Sequence, residues 1–295
     1  MGLVNRPRVS VIIIFLDEKR FLLEAIESVR SQTFEDWELL LVDDGSSDGS
    51  SEIARSCVTD GPPRVRHLEH PDHRNHGTSS SRNLGIRAAE GELIAFLDGD
   101  DVWLRRKLEE QVSRLASEPR ADLLYGRTQI WNSWRSGSNA VDFYYPLGVE
   151  PDKLYLPPRL FNVLMHNRSQ TPTTCNAIMR RSLFDRVGLF VDEFGGMFED
   201  QVFFAKAFLE SPVYVDDRTW ARYRQRPDSC SGRVSGSPAE LRARFQFLTW
   251  LRDYVRTRGG VPPSARLAFE RARLDCHVRL MRRLAGNVAR EMWPG

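Results

Sequence analysis

The 295-residue chain is poor in cysteine, in long apolar runs and in net charge. Its four cysteines, Cys57, Cys175, Cys230 and Cys276, are scattered without CxxC spacing. That excludes a disulfide-framed module and a cysteine-based zinc ribbon, and it points to buried free thiols in a reducing compartment. No apolar run approaches the ~20 residues of a bilayer-spanning helix. Met1 to Arg8 holds no apolar signal core, so the expected location is cytoplasmic. A net charge of only +2 gives no reason to expect a nucleic-acid partner. The first apolar strand lacks the glycine fingerprint of a dinucleotide dehydrogenase after it.

What the chain does have is apolar strands that end in carboxylates. Leu93 to Leu97 reads as a buried strand and runs into Asp98-Gly99-Asp100-Asp101. Carboxylates so close repel one another unless a cation joins them, and Mg²⁺ or Mn²⁺ takes one or two carboxylates with substrate phosphates and water. Trp37 to Val42 ends the same way, in Asp43-Asp44-Gly45-Ser46. Before it, Val9 to Phe15 is apolar enough to lie mid-sheet, covered on both sides. Between the two, Phe21, Leu22, Ala25, Ile26 and Val29 keep helical spacing, so the opening is a βαβ unit of a parallel sheet. Ligands of such sheets bind beyond the carboxyl ends of the strands. The plainer alternative is a pair of acidic turns, with Asp101 capping the helix that carries Leu104, Leu108, Val112 and Leu115.

Residues 9–50, with the segment SQTFEDWELLLVDDGSSDGS, resemble the start of a family 2 glycosyltransferase of GT-A fold. Ser81-Arg82-Asn83 and Gly91 to Asp101 continue the resemblance. Gly188, Asp192-Glu193-Phe194, Glu199-Asp200 and Tyr223 to Pro227 extend it more loosely, to about residue 232. The resemblance implies an α/β fold: a Rossmann-like, mixed but mostly parallel sheet flanked by helices, with a C-terminal helical appendage. Residues 1–235 would form the transferase domain, its nucleotide-sugar half at about 8–126 and its acceptor half at about 127–232.

The activity it implies is inverting transfer of a sugar from a nucleoside diphosphate sugar, UDP- or dTDP-type, to a saccharide or lipid-linked saccharide hydroxyl. A divalent cation, Mn²⁺ or Mg²⁺, would sit on Asp100 and Asp98. Asp44 matches the position that binds the base, and its acceptor-only carboxylate suits an imide N–H. Arg82 and Arg226 are expected at the base or the diphosphate. Asp200 matches the general base, with Glu199 as its competitor, and a helix N-terminus there favours the ionised form. Relatives often carry Pro-x-Tyr-Asn after the first strand. Here Ile14-Phe15-Leu16-Asp17 stands in its place, which makes Phe15 and Asp17 candidates for the nucleotide contact. Many relatives have His where Arg226 stands. The aromatics Trp131, Trp134, Phe143, Tyr144, Tyr145 and Tyr155 suit either stacking on an acceptor sugar or packing of a long excursion.

Two rival readings use the same residues. A haloacid-dehalogenase-like phosphatase also ends a strand in Asp-x-Asp, and Asp216-Asp217 imitates its second acidic motif. A catalytically silent nucleotide-sugar-binding protein would have little use for Asp98, Asp100 and Asp200 together. His67, His70, His73 and His76 recur every third residue, but Pro71 and Asp72 break any helix and no carboxylate stands at fixed spacing, so zinc is the weaker reading. Arg74, Asn75 and His76 suit a loop closing over a nucleotide better.

Charge is unevenly spread. Residues 236–295 hold twelve arginines, no lysine and five acids, an excess of +7 against −5 in residues 1–235. Gly232 to Pro238 reads as a linker. Leu241, Phe245, Leu248, Leu251 and Val255, widened by Phe247, Trp250 and Tyr254, predict one helix. Gly259-Gly260 and Pro262-Pro263 end it. A second helix from about Ser264 is predicted with Leu267, Leu274, Val278, Met281, Ala285, Val288 and Met292 inward. This basic hairpin is expected to pack on the domain, with at most peripheral contact at the inner face of a membrane.

Overall fold

The computed structural model describes residues 6–135, 140–167, 169, 172–234 and 237–292, without the side chains of residues 230, 231 and 284–292. In chain order the elements are β1 (Val9–Phe15), α1 (Leu22–Arg30), β2 (Trp37–Asp43), α2 (Ser50–Ser56), β3 (Val65–Glu69), α3 (Thr78–Ala88) and β4 (Leu93–Asp98). Then come β5 (Val102–Trp103), α4 (Lys107–Ser117), β6 (Leu123–Trp131), β7 (Lys153–Tyr155), α5 (Arg159–His166), β8 (Ile178–Arg180) and α6 (Ser182–Val187). Last are α7 (Glu199–Glu210), β9 (Val213–Arg224), α8 (Cys230–Val234), α9 (Pro238–Thr257) and α10 (Pro263–Met292).

One nine-stranded sheet runs β3-β2-β1-β4-β8-β6-β9-β5, with β7 also on β9. Its long ladders, β3-β2-β1-β4 and β6-β9, are parallel, and the short ones to β8, β5 and β7 are antiparallel. Side chains alternate across a strand, and here both faces are buried. Val9, Val11, Ile13 and Phe15 join α1 in one core, while Ile12, Ile14, Leu40 and Phe96 join α5, α6 and α7 in the other. In register, Asp98 lies beside Ile14 and Asp43 beside Phe15. The two acidic strand ends therefore flank the end of β1 on one sheet edge.

The C-terminal helices close the second core. Ser237 caps α9, its hydroxyl accepting from the Glu240 amide, with Pro238 in the first turn. Phe247, Leu248 and Leu251 of α9 are buried in the same core as Phe161, Phe203 and Phe204. Helix α10 corrects the spacing-based expectation. Ala265, Ala268, Phe269, Ala272 and Cys276 face inward, while Leu267, Leu274, Val278 and Met281 face out. Small residues let α10 approach closely, which the leucine stripe would not. The predicted inward Ala285, Val288 and Met292 lie outside the described side chains.

Asp101 is a second correction. Helix α4 begins only at Lys107, with no side-chain cap. Asp101 is fully buried and instead accepts the Arg224 amide at 2.9 Å, tying β4 to the end of β9.

Candidate active site

The loop after β4 and the start of α7 meet over the end of β1. Arg82, 2 % exposed on α3, donates to Asp98 Oδ1 at 2.8 Å and to Glu199 Oε1 at 3.0 Å. Thr174 Oγ1 approaches Asp98 Oδ2 at 3.4 Å. One guanidinium thus joins the strand-end carboxylate to the helix that bears Glu199 and Asp200. It touches carboxylates, not the open cleft. The arrangement depends on Asn83 beside it, whose amide donates to Phe190 O and Asp192 Oδ1 at 2.9 Å each and accepts from the Phe190 amide at 3.0 Å. These bonds hold the segment leading into α7 against α3.

Asp200 lies in the first turn of α7, and the αL residue Phe198 (φ 63) starts the helix. Its Oδ1 accepts the Gln201 amide at 2.7 Å. Burial, then repulsion from Glu199, pushes its pKa up to about 7. The helix N-terminus is therefore outweighed: a favourable field of under about 1 kcal/mol does not offset desolvation beside a second carboxylate.

A second arginine serves the opposite side. Arg226 Nη2 meets Asp100 Oδ2 at 2.9 Å and also donates to Glu18 Oε1. Glu18 is the functional candidate that spacing did not reveal. Its other oxygen, Oε2, is buried without a hydrogen-bond partner among the described residues, and burial, then Asp100, raises its pKa to about 7. Burial also raises Asp100, and burial followed by Asp100 and Asp98 raises Asp101 far more. The only sign of Glu18 in the sequence is a carboxylate three residues past a strand end, a common turn feature. A cleft of about 490 Å³ opens here, lined by Asp17, Glu18, Phe21, Trp134, Arg226 and Asp228 among others.

The donor set suits a divalent cation. Asp98, Asp100 and Glu18 offer carboxylate oxygens, and the buried Glu18 Oε2, which has no hydrogen-bond partner among the described residues, is the kind of group a hard cation would satisfy. Elsewhere, one ligand atom from each of Asp43, Glu69 and His73 lies within 4.8 Å of the others. There, Asp43 already accepts from the Gly45 and Ser46 amides and from Ser51 Oγ, and Glu69 pairs with Arg55. Despite burial, hydrogen bonds led by His67 hold Asp43 well below the usual carboxylate range.

The other predicted residues take these places. Asp44 is 5 % exposed, and its oxygens accept the His76 amide at 2.8 Å and the Gly77 amide at 3.0 Å, fastening the loop that carries Arg74 and Asn75. Asp17, exposed with φ 54, accepts the Ser47 amide at 2.7 Å and supports the same turn. Phe15 is a correction: it is 3 % exposed and points into the α1 core, because it shares the parity of Val11 and Ile13. It forms no open stacking surface. The histidines are corrected too, since each has a carboxylate near it: His67–Asp43 at 3.8 Å, His70–Asp44 at 3.6 Å, His73–Glu69 at 3.3 Å and His76–Asp72 at 2.8 Å. The aromatics divide. Trp131 and Trp134 pack on the Arg224 guanidinium, while Phe143, Tyr144 and Tyr145 are exposed.

The phosphatase reading fails on topology. Asp216 is buried, bonded to Arg218 and near Arg114, on a strand separated from β4 by β8 and β6.

A parallel sheet whose β2 and β4 end in acidic turns beside β1, with an antiparallel β8 joining the second half, is the GT-A glycosyltransferase architecture. The chain belongs to glycosyl transferase family 2, whose model matches residues 10–188. It is 31 % identical over 227 residues to the uncharacterized glycosyltransferase EpsJ of Bacillus subtilis, covering 76 % of this chain and 62 % of EpsJ. It is 27 % identical to glycosyltransferase GlyG of Streptococcus pneumoniae, covering 84 % of this chain and 77 % of GlyG. Among solved structures, S. aureus TarS 1-349 in complex with UDP-GlcNAc superposes with a TM-score of 0.64 at 21 % identity, over 82 % of this chain and 66 % of that one. The mannosyltransferase PcManGT of Pyrobaculum calidifontis, in complex with GDP-Man and Mn²⁺, gives 0.59 at 19 % identity, over 98 % of this chain and 82 % of that one.

Proposed function

We propose that the protein transfers a sugar from a nucleoside diphosphate sugar, of UDP or dTDP type, to a hydroxyl of a saccharide or lipid-linked saccharide, with inversion at the anomeric carbon. The observation that carries this reading is the pairing of two arginines with more carboxylates than they neutralise, at the shared end of β1 and β4. Arg82 clamps Glu199 and Asp98, and Arg226 clamps Glu18 and Asp100. Asp200 is left without an arginine partner among the described residues. It acts as the general base, taking the proton of the acceptor hydroxyl as that oxygen attacks, a contribution of about 10²–10⁴ in rate. One base and one in-line displacement invert the centre.

Asp98, Asp100 and Glu18 would hold Mn²⁺ or Mg²⁺. When bound, the cation acts as a Lewis acid that stabilises charge on the leaving diphosphate. The cation-containing PcManGT complex supports this reading. Arg226 turns from Asp100 toward the diphosphate, and its fixed fork suits two phosphate oxygens. Asp44 receives the base N–H on the face away from the His76 and Gly77 amides, and Asp17 keeps the adjoining turn in place. Residues 1–235 act as the transferase unit, divided at about 126 into donor and acceptor halves, and 236–295 as its helical support.

The test is thermal stabilisation by nucleoside diphosphates with and without Mn²⁺. UDP with Mn²⁺ should raise the melting temperature, EDTA should remove the effect, and Asp44→Ala should lose most of it. Equal stabilisation of wild type and Asp44→Ala would reduce Asp44 to a turn former. A silent binding protein would show the same stabilisation with no transfer to any acceptor.

A further inference from the structure

Helix α10 is apolar on two opposite faces. One is spent on the domain, with Ala265, Ala268, Phe269, Ala272 and Cys276 buried. On the far side, Leu267, Leu274, Val278 and Met281 are 52, 66, 36 and 53 % exposed. Their spacing keeps them in one stripe along the helix. Packing of the chain therefore does not account for these four residues, and large apolar side chains aligned on one exposed face mark an interaction surface.

The charges around the stripe say what meets it. At about 100° per residue, Arg271 and Arg282 border one side and Arg266 lies toward the other. None of the three has an ion-pair partner among the described residues. The two acids nearby are already neutralised within the helix, Glu270 by Arg273 and Asp275 by Arg279, at 3.0 Å each. The rim is thus cationic, on a tail carrying +7 against −5 elsewhere.

We infer that the outer face of α10 seats on an anionic lipid bilayer, lying in the interfacial plane with its four apolar side chains in the acyl boundary and Arg266, Arg271 and Arg282 on headgroup phosphates. The arginine stems cover apolar surface while their heads reach upward. A second copy of α10 fits this face less well. In a parallel pairing through Leu274 and Val278, Glu270 would oppose Asp275, His277 would oppose Arg282, and Arg271 would fall on the seam. The inference is independent of the transferase reading, because vesicle binding is measured without activity.

The test is cosedimentation of the full chain with vesicles of phosphatidylcholine alone and of phosphatidylcholine mixed with phosphatidylglycerol. The mixed vesicles should bind the protein and release it at high salt, and the neutral ones should bind it far less. Leu274→Glu with Met281→Glu should lower binding by about tenfold or more, since each exposed apolar side chain stops partitioning, without changing the circular-dichroism melt. Arg271→Gln with Arg282→Gln should lower binding to the anionic vesicles alone. Should the double glutamate variant fold poorly, Leu274→Gln carries the same comparison. Absence of binding to anionic vesicles, or binding indifferent to the stripe variants, overturns the inference. A dimer in sedimentation equilibrium that Leu274→Glu dissociates, without vesicle binding, assigns the face to a second copy instead.

Discussion

Glu199 and Asp200 are neighbours in sequence and opposites in environment. Glu199 is held by Arg82, while Asp200 accepts the Gln201 amide and, through burial and then repulsion from Glu199, has its pKa pushed up to about 7. As a base Asp200 must be deprotonated, so kcat should rise with pH through about 7. Asp200→Asn should lower kcat by about two to four decades, flatten that limb and leave donor affinity in place. Glu199→Gln should do less, acting through the Arg82 clamp, and the reverse order would move the base to Glu199. Asp100→Ala should abolish transfer in a folded protein, as should EDTA in the wild type. Full activity in EDTA would remove the cation from the mechanism. Glu18 makes a separate prediction about stability. Its folded pKa is raised from 4.5 to about 7, so its contribution is fully present below about 4.5 and is lost as pH rises through 7. In metal-free buffer, Glu18→Gln should therefore melt close to wild type at pH 5 and progressively above it toward pH 8. Added Mn²⁺ should narrow the gap by stabilising the wild type.

At the scale of elements, α3 positions the segment that leads into α7. Asn83 bridges to Phe190 and Asp192, and at the start of the same helix Gly77 (φ 85) packs against Gly195, where a Cβ would meet the Gly195 Cα at 2.8 Å. The Thr78 amide donates to Gly195 O at 3.1 Å, and Ser79 Oγ to Phe194 O at 2.6 Å. Asn83→Ala should cost about 1–3 kcal/mol, since buried partners lose their bonds. It should also lower kcat more than it raises the donor KM, because the α7 carboxylates lose register with Asp98. Urea unfolding and steady-state kinetics would check the two effects together. A variant with normal kcat and reduced stability would make Asn83 structural alone.

At the scale of the whole molecule, the C-terminal hairpin is part of the core. Phe247, Leu248, Leu251, Phe269 and Cys276 share one apolar cluster with Phe161, Phe203 and Phe204. Deleting residues 236–295 would expose that cluster, so the remainder should be insoluble or melt markedly lower. A truncated chain with unchanged melting temperature and activity would make the hairpin an appendage. Among the described residues, no helix is long and apolar enough to cross a membrane.

The βαβ opening, the acidic strand ends and the family were legible in the sequence, because they rest on local periodicity and on motifs contiguous in the chain; the order of the strands was not, because it is set by pairings between distant segments. Asp98, Asp100 and the Glu199-Asp200 pair could be named from such motifs alone. The partners could not. That Arg82 joins Asp98 to Glu199, that Arg226 joins Asp100 to Glu18, and that Asp101 fastens β9 instead of capping α4 all depend on contacts across 16 to 208 positions of sequence. The facing of Phe15 and of α10 was likewise settled only by tertiary packing. Periodicity places side chains on faces of an element but does not say which face meets the core, and in α10 close approach favoured the alanines over the leucines. The pKa of Asp200 has the same origin, since desolvation beside a second carboxylate is created by the fold.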